Sequence, residues 1–301
     1  MATLIGAPAA QTVTAALADR AAAAVDASQV YFLADGIACD IVLPDREGRD
    51  GPATRAELRA ALAHAPVDIV VQEQDRRRKA VLVADMDSTV IREECIDELA
   101  DEAGFGDRVA RLTAAAMRGE LDFEAAMHER VALLKGLPLA TISHVLSSRI
   151  HPAAGAETLL ATMRANGARC VLVSGGFTAF TGPIAALLGF HEHHANVLLD
   201  DGERLTGHVR EPVLGASAKA ERLKLVCREA GVEPADALAI GDGANDLDMI
   251  ALAGSGVAVH GKPLVAERAR HRIDHADLTA LLYMQGYRAS DFREPSAPSA
   301  A

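Results

Sequence analysis

The segment KAVLVADMDSTVI, residues 79–91, is a short apolar run that leads directly into two aspartates and two hydroxyl residues. Its apolar part, residues 80–84, has the length of a buried strand in a parallel sheet. Asp85 and Asp87 follow that strand, where like charges repel and burial raises the pKa of both carboxyl groups. Such carboxylates are tolerated when a hard divalent cation lies between them, so the segment indicates a metal site.

Three further β-rich runs follow along the chain, namely CVLVSGG (170–176), ALAIGDG (237–243) and GVAVHG (256–261). Helical spacing separates them, and this alternation predicts a parallel sheet with right-handed crossovers. Residues 92–150 have helical spacing throughout and come immediately after the first strand. We therefore predict an α/β fold with a Rossmann-like core and a helical cap inserted after its first strand.

The regions on either side of this core differ in pattern. Residues 1–75 contain an apolar start, a helix, two strand-like runs, a second helix and a strand, the order of a small α+β domain of ferredoxin-like or ACT type. We predict this domain at 1–75, the core at 79–290 with its cap at 92–150, and a disordered polar tail at 291–301.

Composition excludes several classes of function. The net charge is −12, which argues against a nucleic-acid partner or binding to an anionic membrane. No apolar run approaches the roughly 18 residues that span a bilayer, so we expect a cytoplasmic protein. The four cysteines show no C-x-x-C spacing and are interpreted as reduced thiols. The sequence does not specify an oligomeric state and is compatible with a homodimer.

Three predicted strands end in polar, glycine-flanked groups, which are Asp85-x-Asp87, Ser174-Gly175-Gly176 and the loop GDGAND at 241–246. Each group alone is equally compatible with an ordinary turn or a helix N-cap. Together they would meet at one edge of a parallel sheet, because sites form where loops leave the carboxyl ends of the strands. Oxygen ligands around Mg²⁺ bind phosphate monoesters well, so this edge indicates phosphoryl chemistry.

Four motifs, in this order, resemble the haloacid dehalogenase (HAD) superfamily and, within it, the phosphoserine phosphatases. They are DMDSTVIREECIDELA (85–100), FEAAMHERVALLKG (123–136), VLVSGGF (171–177) and GDGANDLDMI (241–250). The resemblance extends from about Lys79 to Tyr287. It implies a HAD core and Mg²⁺-dependent hydrolysis of O-phospho-L-serine through an aspartyl-phosphate, the last step of serine synthesis.

The resemblance also implies roles for the acidic residues. Asp85 would be the nucleophile, and Asp87 the general acid that protonates the departing serine oxygen and then the base for water. The metal would be held by Asp85, Asp242 and the backbone carbonyl of Asp87. Asp246 would steady the metal's water ligands.

The remaining implied residues bind substrate. Ser174 and the Gly175 amide, at the start of a helix, would hold the phosphate together with Lys219 and Asn245. In the cap, Glu94 would pair with the substrate ammonium. Arg130 would clamp its carboxylate, since a guanidinium forms paired hydrogen bonds that lysine cannot.

Other interpretations stay open at this stage. Lys219, Glu94 and Arg130 would each be an ordinary surface charge without the accompanying motifs. The cluster HEHH (191–194) is interpreted as an exposed loop, because its spacing fits no common zinc motif. One alternative function is phosphoryl chemistry on another small phosphate. The other is an amino-acid sensor that acts through residues 1–75.

Overall fold

The computed structural model of the chain describes residues 1–44, 51–117 and 123–294. The described residues form a four-stranded antiparallel sheet at the N-terminus, a six-stranded parallel sheet and a two-stranded hairpin. The predicted fold class, a parallel α/β core with inserted helices behind a small α+β unit, is confirmed. Within the described ranges, no helix is both long and apolar enough to cross a membrane.

The N-terminal sheet has the order β2-β3-β1-β4, with every neighbouring pair antiparallel. Its elements in chain order are β1 (Ala2–Gly6), α1 (Ala15–Ala24), β2 (Gln29–Ala34), β3 (Ala38–Val42), α2 (Gly51–Ala61) and β4 (Val67–Val71). This βαββαβ order is that of a ferredoxin-like unit. Leu4 and Ile41 pack with the two helices, whereas Ile5 and Val70 on the opposite face join the core of the parallel sheet.

The parallel sheet has the order β12-β11-β10-β5-β6-β7. Its strands are β5 (Val81–Ala84), β6 (Arg169–Phe177), β7 (Glu192–Asn196), β10 (Ala237–Gly241), β11 (Ser255–Val259) and β12 (His271–Ile273). β5 lies near the centre, which suits four apolar residues that are all buried. The flanking helices are α7 (Ala156–Ala165), α8 (Thr178–Leu188), α9 (Ala216–Glu229), α10 (Leu247–Leu252), α11 (Pro263–Arg268) and α12 (Ala280–Met284). The hairpin consists of β8 (Leu198–Asp200) and β9 (Leu205–Val209).

Among the described residues, four helices are inserted between β5 and the core helix α7: α3 (Cys95–Glu102), α4 (Gly106–Met117), α5 (Phe123–Ala132) and α6 (Leu139–Ser148). The two chain segments that connect them to the core run side by side. Ile91 and Pro152 form an antiparallel bridge, and the Ala153 amide donates to the Val90 carbonyl over 2.9 Å. The chain therefore enters and leaves the inserted helices through one narrow base beside the end of β5.

The HEHH segment is not an exposed loop, so that interpretation was wrong. Its last three residues belong to β7, which pairs with β6 at the edge of the parallel sheet. The His193 ring lies 2.9 Å from the Thr181 hydroxyl, and His194 lies 3.0 Å from the Glu192 carboxylate. A strand with polar residues is stable at an edge because local partners satisfy its side chains.

One carboxylate joins the N-terminal unit to the core. Asp68, on β4, is almost completely buried and accepts hydrogen bonds from the backbone amides of Asp274, His275 and Ala276. The shortest of these distances are 2.8 and 2.9 Å. Because three consecutive amides point at one charge, the loop after β12 is held firmly against the N-terminal sheet.

The predicted disordered tail begins too early at residue 291. Asp291 ends a short 3₁₀ turn, and the Phe292 ring packs on Tyr283 with 5.0 Å between ring centroids. The rest of that prediction, from residue 295 onward, lies outside the described residues.

Candidate active site

The carboxyl ends of β5, β6 and β10 meet at one edge of the sheet, as predicted. Ala84 is in register with Leu172 on one side and Ile240 on the other. The Asp85 amide continues this ladder by donating to the Ile240 carbonyl over 3.0 Å. Asp85 is thus the first residue after the apolar strand, and a backbone hydrogen bond holds it in place.

Lys219 is the cation at the centre of this edge. It extends from α9 and is only 1% exposed, with its ammonium 2.7 Å from Oδ1 of Asp85 and 2.7 Å from Oδ1 of Asp246. Burial alone would lower the pKa of Lys219, but the two carboxylates raise it above its usual value. Burial raises the pKa of Asp85 well above its usual range, Asp246 adds to that effect, and Lys219 opposes it.

The buried carboxylates of Asp85, Asp242 and Asp246 each have an oxygen within 4.8 Å of the others. Asp246 already uses both of its oxygens, one for Lys219 and one to accept the Gly243 amide at 2.9 Å. Burial raises the pKa of Asp242, while Lys262 opposes the shift. Three clustered carboxylates with one buried lysine leave an excess of negative charge, which fits a divalent cation with oxygen ligands.

Asp87 lies beside this cluster with a different set of partners. Its Oδ1 accepts the Cys95 amide at 2.8 Å, and its Oδ2 accepts the Ser174 hydroxyl at 3.3 Å. Burial, followed by the charge of Glu94, raises the pKa of Asp87 to about 6. A carboxyl group with such a pKa can both give and take a proton near neutral pH.

The backbone between Asp87 and Thr89 is unusual, because Ser88 has φ +53°, in the left-handed region. For a residue with a side chain this conformation costs roughly 1–2 kcal/mol. The Ser88 amide donates to the Glu93 carbonyl at 3.2 Å, and its hydroxyl donates to Glu94 Oε1 at 3.0 Å. These bonds offset the cost and link the end of β5 to the start of the inserted helices.

Ser174 lies in β6 and is completely buried. Besides donating to Asp87, its hydroxyl accepts the Gly176 amide at 2.8 Å. Gly175 is also part of β6, and α8 begins only at Thr178. The prediction that the Gly175 amide stands at the start of a helix was therefore wrong, although the residue does follow Ser174 at the end of the strand.

The loop GDGAND requires glycine because the chain passes very close to its own side chains. A Cβ at Gly241 would collide with the Asp246 carboxylate, and one at Gly243 would collide with Asn245 Oδ1. Asn245 lies in the short 3₁₀ turn Ala244–Asp246 and is partly buried. This turn sets Asp242, Asn245 and Asp246 at the carboxyl end of β10.

Glu94 and Arg130 come from the inserted helices. Glu94 immediately precedes α3, and Arg130 is a partly buried residue of α5 whose Nε donates to the Ala126 carbonyl over 3.2 Å. Burial lowers the pKa of Arg130, and the charges of Asp97, Glu94 and Asp87 oppose this. Arg130 and Glu94 are therefore close enough to Asp87 for their charges to act on one another.

Lys262 was missed by the sequence analysis. It follows β11, and its half-exposed ammonium lies 3.1 Å from Asp242 Oδ2 and 3.4 Å from Glu94 Oε1. It thus connects the end of β10 with the start of the inserted helices. Its position in the sequence HGKP, just after a β-rich run, could have indicated it, because that strand ends at the same edge of the sheet.

Comparison with known proteins agrees with this geometry. Residues 82–251 match the family of haloacid dehalogenase-like hydrolases. A phosphoserine phosphatase of Archaeoglobus fulgidus is 40% identical over 241 residues, which are 79% of this chain and 70% of that protein.

Solved structures give the same result. A HAD family hydrolase from Salmonella enterica serovar Typhi superposes with a TM-score of 0.84 at 27% identity, covering 95% of this chain and 98% of that one. The phospho-aspartyl intermediate analogue of a phosphoserine phosphatase has a TM-score of 0.64 at 37% identity. The superposition covers 68% of this chain and 98% of that one.

Proposed function

The chain belongs to the haloacid dehalogenase-like hydrolase family, and we propose that it hydrolyses O-phospho-L-serine to L-serine and phosphate. The observation that carries this proposal is the meeting of Asp85, Asp87, Ser174 and Lys219 at one edge of the sheet. The proposed nucleophile Asp85 lies 2.7 Å from Lys219, and the proposed proton donor Asp87 lies 3.3 Å from Ser174. Its phosphoserine phosphatase relatives support the choice of substrate.

In the first step, a carboxylate oxygen of Asp85 attacks phosphorus and the bond from phosphorus to the serine oxygen breaks. Asp87 gives its proton to that oxygen, so L-serine leaves as an alcohol. In the second step, Asp87 takes a proton from water as the water oxygen attacks the aspartyl-phosphate. The bond from phosphorus to Asp85 breaks, and both carboxyl groups return to their starting states.

Lys219 and Ser174 hold the group that is transferred. The Lys219 ammonium sits 2.7 Å from the attacking carboxylate, so it also faces the phosphoryl oxygens when they approach. The Ser174 hydroxyl, which contacts Asp87 at 3.3 Å, is placed to bridge the proton donor and the phosphate. We assign Asn245 and the Gly175 amide to the same group of phosphate contacts.

A divalent cation fits this site, and we propose Mg²⁺ because its donors would be hard carboxylate and carbonyl oxygens. Asp85, Asp242 and the backbone carbonyl of Asp87 would hold it, while Asp246, with both oxygens in use, would act on its water ligands. When bound, the ion supplies positive charge to the phosphate oxygens and keeps Asp85 ionised.

We propose that residues 92–150 act as a cap that selects the substrate. Phosphoserine carries an ammonium and a carboxylate, and the cap offers Glu94 for the first and Arg130 for the second. Among the guanidinium nitrogens of Arg130, Nε is bonded to the Ala126 carbonyl within the described residues. Its two terminal nitrogens are therefore the donors proposed for the substrate.

The deciding experiment measures phosphate release from O-phosphoserine by the full chain. Activity should require Mg²⁺, disappear in EDTA and return when Mg²⁺ is restored, whereas Ca²⁺ should replace it poorly because its coordination is larger and looser. Asp85→Asn serves as the control, since the amide has the same shape but cannot attack phosphorus. Hydrolysis that survives EDTA, or survives in Asp85→Asn, would exclude this mechanism.

A further inference from the structure

A group of basic residues lies away from the active site, where the N-terminal unit meets the edge of the parallel sheet. Arg55 extends from α2 and donates from Nη2 to the Arg270 carbonyl over 2.7 Å, immediately before β12. His271 is the first residue of β12 and is 1% exposed. Lys79, in the segment between the two units, is also buried and donates to the Ala235 carbonyl over 2.7 Å.

Two polar atoms in this group are buried and have no hydrogen-bond partner among the residues that the structure describes: Arg55 Nε and His271 Nδ1. Leaving a buried donor or acceptor unpaired costs about 1–3 kcal/mol, and more when the group is charged. Most buried polar side-chain atoms in proteins are paired with another protein group, with ordered water or with an ion. Two of them at the same junction therefore call for an explanation beyond packing.

Among the described residues, the charges that act on these two side chains are positive. Burial, followed by the charges of Arg55, Arg270 and Lys79, lowers the pKa of His271 to about 3. Burial, Arg270 and Arg272 likewise lower the pKa of Arg55.

Lys79 shows the same pattern with one opposing charge. Burial lowers its pKa, Asp236 opposes the shift, and Arg270 and Arg76 add to it. Asp236 is also shared with Arg76, at 3.8 Å. The cations of this junction thus destabilise one another in a protein whose net charge is −12.

We propose that Arg55, Lys79 and His271 form a binding site for a small oxyanion at the junction between the N-terminal unit and the core. Arginine and lysine can only donate hydrogen bonds, and a protonated imidazole donates from both nitrogens, so the matching ligand carries several acceptor oxygens and negative charge. A phosphate or a carboxylate has this chemistry. Binding would pair the Arg55 Nε–H, stabilise the imidazolium form of His271 and offset the mutual repulsion.

The site connects directly to the contact between the two units. Asp68 holds the amides of residues 274–276 just beyond β12, and Arg55 holds the carbonyl of Arg270 just before it. An anion at His271 would add a third link across the same short strand. The ligand is therefore expected to strengthen the association of the N-terminal unit with the core.

The test follows the imidazole signals of the full chain by NMR, with labelled histidine and His271 assigned through His271→Gln. Inorganic phosphate and L-serine are titrated separately, in the absence of Mg²⁺ and at constant ionic strength set with chloride. The His271 signals should shift saturably with one of the two ligands, which identifies phosphate or carboxylate as the ligand class. Because His271 lies outside the active site, this result does not depend on whether the enzyme hydrolyses phosphoserine.

Matched variants complete the test. Arg55→Gln should raise the Kd of the ligand by at least about tenfold, the effect of losing one hydrogen bond to a charged group. Arg55→Lys keeps the positive charge and should bind with intermediate affinity. A graded change of this kind distinguishes a lost hydrogen bond from a folding defect. Arg59→Gln, one turn further along α2, should bind as the parent does, because Arg59 bonds only to the carbonyls of Ala65 and Val67 among the described residues. The proposal is overturned if neither ligand moves the His271 signals, if chloride alone produces the shift, or if Arg55→Gln responds like the parent.

Discussion

The Lys219 ammonium and the Asp85 carboxylate form a buried ion pair at 2.7 Å, at the point where the central strand of the sheet ends. The pair is part of a group of three charges, because Asp246 places a second carboxylate 2.7 Å from the same ammonium. One cation therefore stabilises two buried anions, and both the fold and the proposed chemistry depend on it.

Replacing Lys219 should damage stability and activity together. Lys219→Met keeps an unbranched side chain, one atom shorter and without charge, and leaves Asp85 and Asp246 facing each other, which should cost about 3–5 kcal/mol of unfolding free energy. Loss of a charge that faces the phosphoryl group should lower kcat by roughly 10²–10³-fold. Urea unfolding and phosphate release measure the two effects. Lys224→Met, an exposed lysine on the same helix, is the control, and equal behaviour of the two variants would contradict this role.

Arg130→Lys should impair the use of phosphoserine selectively. Lysine retains the charge but loses the paired donors, so kcat/KM for O-phosphoserine should fall by roughly ten- to a hundredfold, or about 1.5–3 kcal/mol. Phosphoethanolamine lacks the carboxylate and should be hydrolysed by the variant much as by the parent. If both substrates lose equally, Arg130 acts on the fold or on the phosphate rather than on the carboxylate.

Asp68→Asn should loosen the contact between the N-terminal unit and the core. The amide keeps one acceptor oxygen but turns an N–H₂ group toward the backbone amides of residues 274–276, so we expect a loss of about 3 kcal/mol. Urea unfolding gives the change in stability, and hydrogen exchange at residues 274–276 shows its location. Asp19→Asn, at an exposed position on α1, should change neither. Unaltered exchange at 274–276 in Asp68→Asn would show that the carboxylate does not anchor the loop.

The buried His271 should make stability depend on pH. Its pKa is about 3 in the folded protein, whereas the ordinary value for a histidine side chain is 6.5. Below pH 6.5 the unfolded chain therefore binds a proton that the folded chain does not. The free energy of unfolding should decrease as the pH falls below 6.5, by at most about 1.4 kcal/mol per pH unit. Above pH 6.5 it should not depend on His271.

The measurement compares urea unfolding at pH 7.5 and 5.5 for the parent and for His271→Gln. The Arg55, Arg270 and Lys79 charges that face the ring are present in both proteins, so the difference between the two pH profiles isolates the imidazole. His208→Gln, at an exposed position on β9, should keep the parent's profile. Identical profiles for the parent and His271→Gln would show that His271 can take up its proton in the folded state.

The amino-acid sequence by itself determined the parallel sheet and the meeting of Asp85, Ser174 and Asp242. Both follow from local pattern, since short apolar runs become buried strands and the carboxyl ends of parallel strands share one edge. The motif resemblance also placed the chain in its family, which the comparisons bear out.

Tertiary structure alone decided the contacts that join distant segments. Lys262 meets Glu94 across 168 residues, and Asp68 meets the loop after β12 across more than 200. It also placed the last three residues of HEHH in an edge strand and brought Arg55 to the Arg270 carbonyl, next to His271. No local periodicity specifies such pairs, because each depends on how whole elements pack and on which buried polar groups then remain to be paired.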